Sequence, residues 1–210
     1  TFLGVAQDFD GKRILVADNG GGSTELAVGE PSGGVLDLGW VTSVQVGCRR
    51  LTERFLSHED PPAAADLAQA HEYAAKLFSQ ALKDAGARLG SPQTLVVTGG
   101  TVTTLVAIDA ELDPYDPAYE LTRERVDALE QRLASLTQKG RAALTGMQAK
   151  RAPVILGGAV AVSELLRQSG FSSLTVSESD LLFGLSIVCA AMLEGRESPV
   201  VWKPTLRPLK

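Results

Sequence analysis

Asp18-Asn19-Gly20-Gly21-Gly22-Ser23-Thr24-Glu25 lies between two apolar runs, residues 13–17 and residues 25–28. The first run is rich in Ile, Leu and Val and shows no polar alternation, which predicts a strand buried on both faces. Three consecutive glycines then call for a turn, and the second run predicts a strand folded back on the first. The chemistry concentrates in this turn. An aspartate at a strand end can ligate a hard cation through oxygen, directly or through water. Gly20, Gly21 and Gly22 leave their N–H groups uncovered, so the turn can form a concave nest for phosphate oxygens. Ser23 and Thr24 add hydroxyl donors, and a tight hairpin would bring Glu25 back toward Asp18. Two carboxylates beside a phosphate nest repel an anionic substrate unless Mg²⁺ or a similar cation lies between them. A plain glycine-rich hairpin carrying a surface acid fits the same spacing equally well. Two familiar phosphate motifs do not fit. No lysine follows the glycines, as a P-loop would require, and Glu25 stands where G-x-G-x-x-G needs its last glycine.

Outward from this hairpin, a third strand is expected over residues 35–46, after a turn at Gly33-Gly34. Asp60-Pro61-Pro62 reads as a helix start, with the aspartate as cap and proline in the first turn. Leu67, Ala70, Ala74, Leu77, Phe78, Ala81 and Leu82 then keep helical spacing until the glycines at 86 and 90. A fourth strand over residues 94–98 ends at Gly99-Gly100, and a short helix follows at 101–108. Free amides at that helix start, with its dipole, make Gly99, Gly100 and Thr101 a second candidate phosphate contact. Taken alone, the same glycines fit a plain tight turn. Val126, Leu129, Leu133 and Leu136 predict another amphipathic helix. A further one is expected over residues 152–167, where Gly157-Gly158 permit close backbone approach. A fifth strand at 174–176 and an apolar helix at 181–193 complete the pattern. Residues 196–210, with Pro199, Pro204 and Pro208, predict an extended arm. Three strands in a row, then strands alternating with helices, predict an α/β domain over residues 1–195 on a mixed five-stranded sheet flanked by helices.

The chain has 210 residues, 44% hydrophobic and 21% charged, a balance that excludes disorder and coiled coil as the main architecture. The net charge of −5 disfavours duplex DNA as a partner, so any anion must be held by a local site. No apolar run is long enough to cross a bilayer, and no membrane partner is expected. The two cysteines, Cys48 and Cys189, form no C-x-x-C pair and are expected as reduced packing residues of a cytoplasmic protein. The two histidines, His58 and His71, are too few for a metal cage and are expected as solvated residues. Trp40 and Trp202 are expected in packing.

The motifs together resemble one family. Asp18 to Leu26 resembles the DIGGGSTEL phosphate loop of the exopolyphosphatase/guanosine-pentaphosphate phosphohydrolase (Ppx/GppA) family. Gly47-Cys48-Arg49-Arg50-Leu51-Thr52-Glu53 is similar to its G-x-x-R-L-T-E stretch. Thr98-Gly99-Gly100-Thr101, followed by Thr103-Thr104-Leu105, is similar to its GGT segment. Arg151-Ala152 with Gly157-Gly158, then Val176-Ser177, resemble its closing region. The resemblance runs from about Phe2 to Leu193.

It implies a ribonuclease-H-like (actin/sugar-kinase/Hsp70-like) fold and corresponds to the second domain of a two-domain clamshell. It also implies a Mg²⁺-assisted hydrolase that releases terminal phosphate from polyphosphate or guanosine pentaphosphate. Asp18 and Glu25 would be its catalytic, metal-holding acids. Gly20, Gly21, Gly22, Ser23, Thr24, Gly99, Gly100, Thr101 and Arg50 would be its phosphate contacts. The glutamate that positions or deprotonates the attacking water in the family would precede Thr1. The chain's expected partners are therefore the first domain and, as in relatives, a second copy.

The sequence departs from the family in three places. Asn19 replaces an apolar residue and is expected to add a side-chain hydrogen bond to the loop. Pro153 replaces an acid, and Leu181-Leu182-Phe183-Gly184 replaces L-R-E-G. Arg49 shares with Arg50 the choice between phosphate contact and solvated helix start, and Arg151 reads more readily as a surface residue. Two other classes remain open. One is a kinase or ATPase-like domain, with purine contacts near Gly157-Gly158, and the other is a non-catalytic binding or dimerisation module.

Overall fold

The computed structural model describes residues 1–32, 35–111, 119–197 and 200. The turn expected at Gly33-Gly34, Trp202 and most of the C-terminal arm lie outside the described residues. A short helix α1 (Phe2–Ala6) precedes the hairpin β1 (Ile14–Asn19) and β2 (Thr24–Ser32), which continues into β3 (Val35–Val44). Next come α2 (Cys48–Leu51), extended by one π-helical turn Thr52–Leu56, then α3 (Ala64–Ala85), β4 (Thr94–Thr98) and α4 (Gly100–Ala110). The chain ends with β5 (Glu120–Thr122), α5 (Arg123–Ala134), α6 (Gln138–Ala142), α7 (Ile155–Ser169), β6 (Ser173–Ser177) and α8 (Leu181–Leu193).

The strands form one mixed sheet in the order β3-β2-β1-β4-β6-β5. β1, β2 and β3 pair antiparallel, β4 and β6 join β1 in parallel, and β5 closes the far edge antiparallel to β6. The sheet therefore has six strands where five were expected. The extra one, β5, has three residues with Leu121 as its single apolar side chain, too little to show a period of two.

Burial on both faces explains the unbroken apolar run in β1. Leu15 and Ala17 join Leu26, Val28, Leu95 and Val97 in the larger core, under α3, α4, α5 and α7. Ile14, Val16 and Val96 point the other way and pack with Phe2, Val5 and Ala6 of α1. The second layer is thin. α8 lies against α1 and buries a single stripe, Gly184, Val188 and Ala191, so Leu182, Met192 and Leu193 stay exposed. Cys189 falls beside that stripe and is exposed, not packed as expected, whereas Cys48 is buried. Trp40 is buried in the larger core, as expected.

Asp60 does not cap α3, which starts later, after Ala63. Its carboxylate accepts the backbone N–H of Gln138 at 2.8 Å, at the start of α6. Five residues containing Gly140 gave α6 no sequence signal of its own.

His71 is also not a solvated residue, although His58 is. On α3, His71 sits between two buried carboxylates, with Nε2 2.7 Å from Glu130 of α5 and Nδ1 2.8 Å from Glu164 of α7. Arg167 bonds both Glu164 and Asp127, and Gln168 donates to Glu164. The hydrogen bonds to Glu130 and then Glu164 outweigh burial and raise the His71 pKa from 6.5 to about 9. The imidazolium thus clamps three helices through both ring nitrogens.

A folded-state pKa above the unfolded one means that this clamp contributes fully below about pH 6.5 and is lost as pH rises through about 9. His71→Gln should cost about 2 kcal/mol in urea unfolding near pH 6 and much less near pH 10. A pH-independent difference between the two proteins would show that His71 acts by packing alone.

Candidate active site

The strand registers draw one polar row across the sheet at the carboxyl ends of the parallel strands. Ser43 of β3 pairs with Glu25 of β2, which pairs with Asp18 of β1. Asp18 pairs in turn with Thr98 of β4, which pairs with Ser177 of β6. Partners directly opposite share a face, so both predicted acids point to the α1/α8 side. The hairpin brings Asp18 and Glu25 together as the sequence suggested. Asp18 Oδ2 accepts from the hydroxyl of Thr1 at 2.7 Å, and Glu25 Oε1 accepts from Ser23 and Ser43 at 2.7 Å each.

The loop between the acids is held from below by its carbonyls. Cys48 N–H donates to Gly20 O at 3.1 Å, and Arg49 and Arg50 N–H donate to Gly21 O at 2.9 and 3.0 Å. Arg50 lies along the loop, its Nε donating to Gly22 O at 2.6 Å and its terminal nitrogen to Gln45 at 2.8 Å. This contact requires Gly47, because a Cβ there would stand 2.7 Å from the Gly21 carbonyl and from Ser23 N. The amides of Gly21, Gly22 and Ser23, in contrast, have no acceptor among the described residues. Carbonyls engaged and N–H groups unclaimed is the arrangement of an anion nest.

Thr24 plays another part than the one expected of it. Its side chain is fully buried, donating to Val46 O at 2.7 Å and accepting from Asn19 Nδ2 at 2.9 Å, so its hydroxyl braces the loop and does not face solvent. Asn19 thereby supplies the additional hydrogen bond expected of it.

The second glycine turn meets the first at Asn19. Gly99 has φ +107°, and a Cβ would stand 2.8 Å from Asn19 O, so the start of α4 lies against the end of β1. The amides of Gly100 and Thr101 begin α4 without intrahelical partners, while the Thr101 side chain is buried against Gly158. Arg151, read as a surface residue, has its guanidinium directly over Gly100. Gly157 and Gly158 offer no purine pocket. They are buried, and a Cβ on either would run into α2 or Thr101. Ser43, Thr1 and Arg151 join the site through register and tertiary contact, for which the sequence carries no local signal.

Among the described residues no three Asp, Glu, His or Cys side chains converge as a metal cage. The Asp18–Glu25 pair nevertheless suits Mg²⁺, which takes one or two carboxylates and completes its shell with water and substrate phosphate oxygens.

These features define an α/β domain with two glycine turns and a pair of acids at one end of its strands. The profile of the Ppx/GppA phosphatase family matches residues 1–185, and the chain belongs to that family. It is 40% identical over 188 residues to "Exopolyphosphatase 2" of Mycobacterium tuberculosis, covering 86% of this chain and 56% of that protein. A solved Ppx/GppA family member from Aquifex aeolicus superposes with a TM-score of 0.79 at 27% identity, over 94% of this chain and 62% of that one. An exopolyphosphatase from Cytophaga hutchinsonii gives a TM-score of 0.75 at 26% identity, over 93% and 62%. The fold is therefore the ribonuclease-H-like one expected, and the chain spans little more than half the length of these relatives.

Gly99→Ala should lower stability by about 2 kcal/mol, because alanine is strained at this φ and its Cβ presses on Asn19. Thermal unfolding followed by circular dichroism checks this, and an unchanged midpoint would mean that the two turns are not held together as described.

Proposed function

We propose that the whole protein hydrolyses phosphoanhydride bonds, releasing terminal phosphate from polyphosphate or guanosine pentaphosphate, with this chain as the half that grips the phosphate. The observation that carries this reading is the set of unclaimed amides at Gly21, Gly22 and Ser23 beside the Asp18–Glu25 pair. In this reading, the amides and the Ser23 hydroxyl bind the oxygens of the terminal phosphate. Gly99, Gly100 and Thr101 offer backbone amides to the next bridging unit, with Arg50 beside the first glycine turn and Arg151 over the second. Asp18 and Glu25 hold Mg²⁺, which when bound neutralises charge on the phosphates and on the departing chain. Thr1 and Ser43 keep the two carboxylates oriented through their hydroxyls. The water that attacks phosphorus is positioned by a glutamate outside this chain, so the 210 residues alone are expected to turn over little or nothing.

The family membership and the relatives' names support a phosphatase. Among the described residues no helix is long and apolar enough to cross a membrane. A second reading, a binding or dimerisation module, draws on the apolar face that α8 leaves exposed.

Orthophosphate release from polyphosphate with Mg²⁺ separates the readings when this chain is compared with one extended N-terminally. Activity is expected only in the extended form, with Glu25→Gln reducing kcat by about 100-fold or more. Turnover by the short chain would refute the role of the external glutamate, and two inert proteins would favour the binding module.

A further inference from the structure

One helix, α7, joins both glycine turns to the His71 cluster, and it is buried continuously from Ile155 to Leu166. At its start Gly157 lies against α2, where a Cβ would stand 2.5 Å from Cys48 O. Gly158 lies against α4, where a Cβ would stand 2.4 Å from Cγ2 of Thr101. Cys48 is the residue whose N–H holds Gly20 O, and Thr101 stands in the first turn of α4. No side chain of α7 cushions either contact, so a shift of the helix reaches both turns. Two helical turns further on, about 10 Å away, Glu164 enters the cluster.

Apolar helix faces slide past one another at little cost, whereas hydrogen bonds to both nitrogens of one ring fix a register. His71 ties α3 in this way to Glu130 of α5 at 2.7 Å and to Glu164 of α7 at 2.8 Å. Three carboxylates, Glu130, Glu164 and Asp127, face two cations, His71 and Arg167. Glu130 Oε2 is buried with no hydrogen-bond partner among the described residues. Without the imidazolium, two buried glutamates would share too little positive charge. Ser163 and Arg167 would still tie α7 to Asp127 of α5, so those two helices would move together, away from α3. We infer that His71 is a positioning residue for the phosphate site: by fixing α7 against α3 it holds both glycine turns at the spacing that phosphate requires. The inference rests on the reading of those turns as phosphate contacts. The ring keeps its charge up to about pH 9 through its bonds to Glu130 and then Glu164, and loses it above. The other charged residues on elements packed against α3, Glu53 and Arg54 of the π-helical turn, Asp37 of β3 and Arg88 just beyond α3, make no bond to the ring.

Carbon-13 NMR shifts and tripolyphosphate titration of the 210-residue chain test this, with circular dichroism checking that each variant folds. The carbonyl carbons of Gly20 and Gly21 report how the loop is seated on α2. In the wild type they should titrate with a midpoint near pH 9, and in His71→Gln they should be displaced and flat, while Gly11 and Gly29 stay unmoved. Loss of packing alone lowers stability but leaves native-state shifts in place. Affinity for tripolyphosphate should fall about tenfold in His71→Gln near pH 7. The ratio of wild-type to variant affinity, in which ionisation of the ligand cancels, should return toward one near pH 10. The double variant H71Q/E164Q, which also removes a buried charge, should recover part of the loss. Glu130→Gln keeps the bond to Glu164 and serves if His71→Gln does not fold; it should move the titration of Gly20 and Gly21 to lower pH. Unmoved glycine shifts, or an affinity ratio that does not change with pH, would overturn the inference. If the wild type binds no tripolyphosphate, the phosphate reading of the turns falls, and the glycine shifts alone decide whether His71 holds them.

Discussion

Backbone amides at the start of α2 hold the carbonyls of Gly20 and Gly21, and the chemistry of the site depends on that contact. A glycine loop free in solvent samples many shapes, and its peptide groups present oxygen as readily as N–H. Here the carbonyls are taken and the loop's remaining valence is its amides. The contact exists because Gly47 has no side chain, which lets α2 come up against the loop, and because Thr24 and Asn19 lock the hairpin beneath. α7 supports α2 in turn through the close approach of Gly157. The glycine loop is thus the outermost layer of a stack that reaches the main core.

The sheet supplies the other half of the arrangement. Mixed topology places the ends of three parallel strands beside a hairpin, so one row of residues crosses five strands without a break. A residue two places earlier in β1 is Val16, buried under α1. Asp18 therefore sits where the apolar layer ends and solvent begins. The same alternation that drives the core sets the acids at its rim.

Much of this was legible in the sequence because it is local. Apolar runs, glycine turns and helical spacing gave five strands, most helices and the position of both loops. What stayed hidden joins residues far apart in the chain. His71 meets Glu130 and Glu164 at separations of 59 and 93 residues. Asp60 reaches α6 across 78. Arg151 is brought to Gly100 only by the packing of α7. Thr24 looked like a phosphate ligand because hydroxyls beside glycines usually face the turn, but strand register sends alternate side chains inward, and this one points into the core. β5 was missed for lack of length, and Cys189 because an apolar helix gives no sign of which side it will leave uncovered.

Those long-range contacts also divide the molecule by its tolerance of change. The helical layer is pinned by a large core and by the His71 clamp, and it carries the loop that must not move. The opposite layer consists of two helices on a small core, with leucines open to solvent. The two acids lie on that lightly covered side, at the rim of the small core. The net charge of the chain is −5, so unclaimed amides at the glycine loop are a local exception to its overall sign. A local site of this kind owes its character to backbone geometry and not to the chain's overall charge.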